Sequence, residues 1–143
     1  MRDLPKVSII TTTYNDAKNL QRIMEEVAGQ DYKNLEYIIV DGGSTDGTIE
    51  LIQQMEERLP KKVRWISEPD SGIYDALNKG ILLATGDIIG CCFDRFADRG
   101  VIRKMVEVME REKTDGVHGD LYYMDGEQIV RKWHQGQGSI RSG

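Results

Sequence analysis

The chain has 143 residues, enough for one domain around one hydrophobic core. Hydrophobic residues make up 39% and charged residues 30%, the balance of an ordinary globular protein. The net charge of -5 comes from 19 Lys and Arg against 24 Asp and Glu with no basic run, which argues against nucleic-acid binding and against a polybasic membrane anchor.

Val7 to Thr12 is β-branched and nearly uncharged, as expected for a strand buried on both faces. Asn15 or Asp16 can cap a helix whose apolar residues are Ala17, Leu20, Ile23, Met24, Val27 and Ala28, with Gly29 as its stop. Leu35 to Val40 is the second strand, and a polar, glycine-rich turn runs from Asp41 to Thr48. Ile49, Ile52, Met55 and Leu59 mark one face of a second helix that Pro60 ends. Val63 to Ser67 is the third strand and leads into Glu68 to Gly72. A third helix is expected to turn Ile73, Ala76, Leu77, Gly80, Ile81 and Ala84 inward. Asp87 to Gly90 reads as a short fourth strand. Asp98 can cap a fourth helix through Val101, Met105, Val108 and Met109. Val117 to Met124 and Gln128 to Trp133 read as strands of a hairpin turned by Asp125-Gly126.

This βαβαβαβαββ order predicts an α/β fold: a mainly parallel, doubly wound sheet with a C-terminal β-hairpin. Residues 1–133 are expected to form the domain, with 134–143 a tail without predicted structure that reads as a cut. Ligands bind such sheets at the carboxyl ends of the strands. That rule selects the loops Thr12 to Asn15, Asp41 to Asp46, Glu68 to Tyr74 and Cys91 to Asp98. No apolar stretch approaches the roughly 18 residues of a membrane span. Met1 to Lys6 also lacks the core of a secretory signal. Cys91 and Cys92 are adjacent and point opposite ways in a strand, so no disulfide joins them, and a reducing, cytoplasmic compartment fits.

A dinucleotide would need a glycine-rich turn after the first strand, where the chain instead reads Thr11 to Asn15. Gly42 and Gly47 have the spacing of a phosphate-cradling loop, but Thr48-Ile49 stands where Lys-Ser or Lys-Thr is needed. Tyr14 instead offers an aromatic face at a strand end. Asp41 offers an acceptor for a ring N–H, a pairing that suits a pyrimidine base. Asp94, after the fourth strand, offers a hard oxygen for Mg²⁺ or Mn²⁺ against a diphosphate.

The runs Val7 to Asn15 (VSIITTTYN), Asp41 to Thr48 (DGGSTDGT), Ser67 to Gly80 (SEPDSGIYDALNKG) and Ala84 to Gly90 (ATGDIIG) resemble family 2 glycosyltransferases of the GT-A fold. The resemblance covers about residues 5–133. It implies inverting transfer of a sugar from a nucleotide diphosphate donor, of UDP or dTDP type, with Mg²⁺ or Mn²⁺. Within the first run, Thr12 and Tyr14 match positions that meet the base, and the resemblance implies that Asn15 belongs to the nucleotide-sugar site with them. Asp41 matches the first Asp of the second motif, with Gly42 where many members carry another Asp. Asp70, Asp75, Asn78 and Lys79 match the motif bordering diphosphate and sugar. The run Gly90 to Phe96 departs from the family's paired acidic metal motif and is shorter than usual. Only Asp94 fits its metal-binding position, and Arg95 could replace part of the cation's charge by pairing with phosphate. No residue through Gly143 matches the family's catalytic base, which is expected beyond the chain, and Asp120 reads as structural or donor-side. The implied acceptor is a glycan or lipid-linked hydroxyl, as in cell-surface polysaccharide synthesis. The implied location is the cytosol or the inner face of the membrane, with room for peripheral association. No pattern here encodes oligomeric state.

Plainer roles stand beside these. Tyr14 can pack over the sheet edge. Asp46 and Asp70 can cap helices. Asp75 and Lys79 can be a surface ion pair. Cys91 and Cys92 suit core packing. His118, His134 and Trp133 suit structural or exposed positions. A truncated donor-binding module without turnover is the alternative to an enzyme.

Overall fold

The computed structural model describes residues 4–117, 121–125 and 128–133. The chain divides into two compact units, Met1–Ile102 and Arg103–Gly143.

The first unit is built on four parallel strands in the order β3-β2-β1-β4: β1 Val7–Thr13, β2 Leu35–Asp41, β3 Val63–Ser67 and β4 Ile88–Cys91. Three of them end one residue later than the hydrophobic pattern suggests, because Thr13 pairs with Asp41 and Ile10 with Cys91 to close the ladders. The central strands are buried on both faces, and Ile9, Ile10, Ile38, Ile39 and Val40 form their core. Helix α1, Ala17–Ala28, buries Leu20, Ile23, Met24 and Val27, the stripe expected from a 3.6-residue period. Helix α2, Thr48–Arg58, packs beside it through a face that includes Ile52 and Met55.

Helix α3, Ile73–Leu83, covers the sheet face carrying Ile10, Ile38 and Val40. Right-handed crossovers put α1 and α2 on the opposite face. The inward set expected for α3 needs correction. Ala76 and Gly80 are buried, but Ile73 is 50% and Ile81 46% exposed. Apolar residues cover most of the helix except the side of Asp75, Asn78 and Lys79, so periodicity marks a face broader than the buried one. Its contact point is Gly80, where an added Cβ would lie 2.6 Å from Ile10 Cγ2. Helix α4, Val101–Glu112, is also rotated from expectation: Ile102 and Val106 are its buried residues, while Val101, Met105, Val108 and Met109 are half-buried.

At the amino ends of the strands, buried Glu36 accepts hydrogen bonds from Ser8 Oγ at 2.6 Å, the Thr85 amide at 2.9 Å and Arg64 at 2.8 Å. This network ties β1, β2 and β3 to the α3–β4 turn. The second unit contains the antiparallel hairpin β5 Leu121–Asp125 and β6 Gln128–Trp133. Gly126, His118, Asp120, His134 and the tail from Gln135 lie outside the described residues.

Candidate functional site

From β1 the chain winds outward through β2 and β3, then returns to place β4 on the other side of β1. The strand order therefore reverses between β1 and β4, and a crevice opens beyond their carboxyl ends. It measures about 230 Å³, and its lining includes Thr11, Thr12, Thr13, Asn19, Ile73 and Phe93. Thr13 Oγ1 is buried there and has no hydrogen-bond partner among the described residues.

Beside the crevice, three loops are locked together by Asp41. Its carboxylate is fully buried. Oδ2 accepts from the Gly43 amide at 3.0 Å, the Ser44 amide at 2.8 Å and Ser67 Oγ at 2.7 Å, while Oδ1 accepts from Ser44 Oγ. The acceptor expected to meet a base at Asp41 is thus turned inward and saturated. Asp41 holds the rim loops together through these bonds. Ser44 Oγ also accepts the Asn15 amide at 2.8 Å, and Asn15 Oδ1 accepts the Thr45 amide at 2.8 Å. Asn15 holds a left-handed backbone, φ 47°, a region that asparagine tolerates better than most residues. This turn projects Tyr14 outward, 63% exposed.

Asp70 comes from the β3 loop. Its Oδ1 accepts the Gly72 amide at 3.0 Å. Its Oδ2 lies 2.8 Å from the point where a Cβ on Gly42 would sit, and Tyr14 Cδ2 is 3.4 Å from that same point. The absent side chain of Gly42 is what lets the carboxylate and the ring flank one spot.

The remaining residues of the β3–α3 motif are committed locally. Asp75 Oδ2 accepts the Ser71 amide at 2.9 Å. Lys79 Nζ donates to the Pro69 carbonyl at 3.0 Å and pairs with Glu68 at 3.1 Å and Asp75 at 3.6 Å. The Glu68 hydrogen bond, with the negative charges of Glu68, Asp75 and Asp70, holds Lys79 protonated above the ordinary lysine range. Lys79 therefore staples the loop to α3, the ion-pair role anticipated for it, and Asn78 stands exposed on the helix. Asp46 fastens the α2 entry, its Oδ1 accepting the Thr48 amide at 3.1 Å.

Asp94 follows β4 at the same rim and is exposed, with Oδ1 accepting the Arg95 amide at 2.8 Å. Among the described residues, no three His, Cys, Asp or Glu side chains gather where they could share a metal. Cys92 is buried beneath this segment, and burial pushes its thiol up to about 11. The donor set is one hard carboxylate. That fits Mg²⁺ or Mn²⁺ held jointly with substrate phosphate and water, and does not fit an all-protein cage. Arg95 turns away from the rim: its Nε pairs with Glu26 at 3.5 Å beside a separate cavity of about 250 Å³ along α1. That cavity also holds Arg22, Glu25 and Arg99, and Arg99 is tied to the Gly29 carbonyl at 2.9 Å. Its lining includes no strand-end groups.

Sequence reasoning missed Thr13, Phe93, Ser44 and Ser67. Ser44 was findable only as part of the turn that Asp41 opens by bonding backbone amides just ahead of it. Ser67 and Thr13 become visible only once the strands are in register.

A parallel sheet whose strand order reverses, with an exposed aromatic ring and carboxylates at its strand ends, defines a doubly wound α/β ligand-binding fold. The glycosyl transferase family 2 model matches residues 8–142, and the chain belongs to that family. An uncharacterized glycosyltransferase of Mycobacterium tuberculosis is 39% identical over 112 residues, covering 76% of this chain and 42% of the relative. A PGL/p-HBAD biosynthesis glycosyltransferase of Mycobacterium bovis is 32% identical over 120 residues, covering 82% of this chain and 47% of the relative. The chain thus spans less than half the length of these two curated relatives. Among solved structures, the mannosyltransferase of Pyrobaculum calidifontis in complex with GDP-Man and Mn²⁺ superposes with a TM-score of 0.69 at 29% identity, over 73% of this chain and 32% of that one. TarS of S. aureus in complex with UDP superposes with a TM-score of 0.65 at 22% identity, over 76% of this chain and 33% of that one, and shares the fold.

Proposed function

We propose that the chain forms the donor-binding part of an inverting glycosyltransferase. The donor is a nucleotide diphosphate sugar of UDP or dTDP type, and the acceptor is a hydroxyl on a glycan or lipid-linked substrate. The observation that carries this reading is the exposed Tyr14 ring, which follows Thr12 and Thr13 of the β1–β4 crevice at the carboxyl end of β1. The Tyr14 ring stacks the base, and Thr12 lies beside the nucleoside. Asn15 and Asp41 act by positioning the loop. Asp70, Asp75 and Asn78 border the donor, and Lys79 holds their loop. Residues 1–133 act as one donor domain.

Asp94 would hold Mg²⁺ or Mn²⁺. Bound there, the ion would neutralise charge on the leaving diphosphate. In the transfer, the acceptor oxygen forms its bond to the anomeric carbon as the bond from that carbon to the diphosphate breaks. The acceptor proton passes to a base. Attack opposite the leaving group inverts the anomeric centre. No described residue is assigned as that base. Among the described residues no helix is long and apolar enough to cross a membrane. Peripheral action at the cytoplasmic face fits a lipid-linked acceptor.

Calorimetric titration of UDP, GDP and dTDP with and without Mn²⁺ tests this reading. Binding that needs the metal and is lost in Asp94→Ala supports it. Absence of binding by any of the three removes it. A module that holds the donor without turnover is favoured by the single carboxylate at the metal position. Donor binding with no sugar transfer or donor hydrolysis would select that alternative.

A further inference from the structure

The end of β2, the loops after β2 and β3 and the start of α3 carry four aspartates, and three are occupied. Asp41 is buried and saturated. Asp46 holds the α2 entry through the Thr48 amide and reaches Ala17 N at 3.4 Å. Asp75 Oδ2 is bound to the Ser71 amide and Lys79. Asp70 differs. Its Oδ1 anchors the turn through the Gly72 amide, while its Oδ2 accepts no hydrogen bond from any described residue. That free oxygen rests over the bare Cα of Gly42, on the spot that the Tyr14 ring edge also borders. An aromatic face with an uncommitted acceptor at its edge has the form of a base-reading site: the face stacks, the acceptor takes a donor from the ring edge.

We propose that Asp70 Oδ2 selects the donor's nucleobase by accepting a ring N–H from a base stacked on Tyr14, and that Gly42 is required because any side chain there would displace the carboxylate. This rests on the donor site proposed above and gives it a chemical class. Uracil and thymine present N3–H, and guanine presents N1–H beside an amino group. Cytosine and adenine carry a bare nitrogen at the corresponding ring position. Their amino groups can still reach a carboxylate, but only with a ring lone pair set against a negative oxygen. A site built around a hydrogen bond rejects ligands that cannot complete it.

Affinities of the full chain for UDP, dTDP, GDP, CDP and ADP, measured by calorimetry with Mn²⁺ present, test the assignment. The expected result is at least about ten-fold tighter binding of one or more ring N–H bases than of CDP and ADP, since a hydrogen bond to a charged group exceeds that factor. The preferred nucleotide methylated at its ring nitrogen should lose the same factor. Asp70→Asn should narrow the gap to CDP, because an amide can donate to the bare nitrogen. Gly42→Ala should cut affinity while leaving the melting temperature in place, since the atom it meets is the movable end of Asp70. Should Asp70→Asn not fold, the methylated nucleotide and Gly42→Ala still decide the matter. Nucleotides that bind with equal affinity whatever their base, or an unchanged preference in Asp70→Asn, would overturn the role of Asp70 and leave the donor site standing. A folded chain that binds no nucleotide would overturn both.

Discussion

Glu36→Gln should flatten the acid limb of this protein's stability curve. Burial by itself pushes the Glu36 carboxyl up. Hydrogen bonds from Ser8, the Thr85 amide, Arg64 and the Thr85 hydroxyl outweigh that effect and bring it down to about 2. The unfolded chain titrates near 4.5. A carboxyl depressed in the folded state adds stability above its unfolded value, and that stability drains away as pH falls toward the folded value. The window here runs from about 4.5 down to about 2. The gap corresponds to about 3 kcal/mol at neutral pH. Urea unfolding of wild type and Glu36→Gln at closely spaced pH values between 7 and 2 measures it directly. The wild type should lose about 3 kcal/mol more than the variant across the acid range, with the two curves converging at the bottom. Parallel curves would refute the reasoning, because they would mean that Glu36 ionises alike in both states.

Two further perturbations probe the parts that shape the rim. Asp41→Asn keeps the shape but replaces one carboxylate oxygen by an amino group, so Ser44 Oγ loses its acceptor and the other three donors lose a charged one. It should cost about 2–4 kcal/mol in chemical denaturation and abolish nucleotide binding; a loss of binding at full stability would show that Asp41 touches the ligand after all. Gly80→Ala would stabilise an exposed helix by about 1 kcal/mol. Here its methyl would press to 2.6 Å from Ile10 Cγ2. A net destabilisation of about 1–2 kcal/mol by thermal melting is expected, and any gain in stability would mean that α3 sits farther from β1.

The chain order of elements was legible because strand and helix periods differ and because Gly29, Pro60 and the Asp41 to Thr48 turn punctuate them. Faces were less legible. In α1 a single stripe, Leu20, Ile23, Met24 and Val27, is both apolar and buried, so period and packing agree. In α3, Ile73, Tyr74, Ile81 and Leu82 are exposed, and the close approach is made by a glycine that a hydrophobicity pattern cannot weigh. The site shows the same divide. Tyr14 and Asp94 could be placed at the rim from their positions after β1 and β4. Whether a carboxylate faces outward or inward depends on hydrogen bonds between loops far apart in sequence. Ser67, 26 residues from Asp41, is one such partner, and nothing local marks it.

That inward turn of Asp41 explains how the rim gains its outward groups. One buried carboxylate receives Ser67 from the end of β3 and Gly43 and Ser44 from the loop after β2, and Ser44 in turn receives Asn15 from the loop after β1. Three loops are thereby held to a common centre. A buried charge with this many donors is fixed in place, since any rotation would leave a donor unpaired at a cost of about 1–3 kcal/mol. The left-handed Asn15 then throws Tyr14 outward on one side of Gly42, and the β3 loop brings Asp70 to the other. On the proposed reading, the Tyr14 ring and the Asp70 carboxylate are set before any ligand arrives, so little ordering remains to oppose binding. Loosening Asp41 should therefore weaken every nucleotide alike, whereas changing Asp70 should alter which base is preferred.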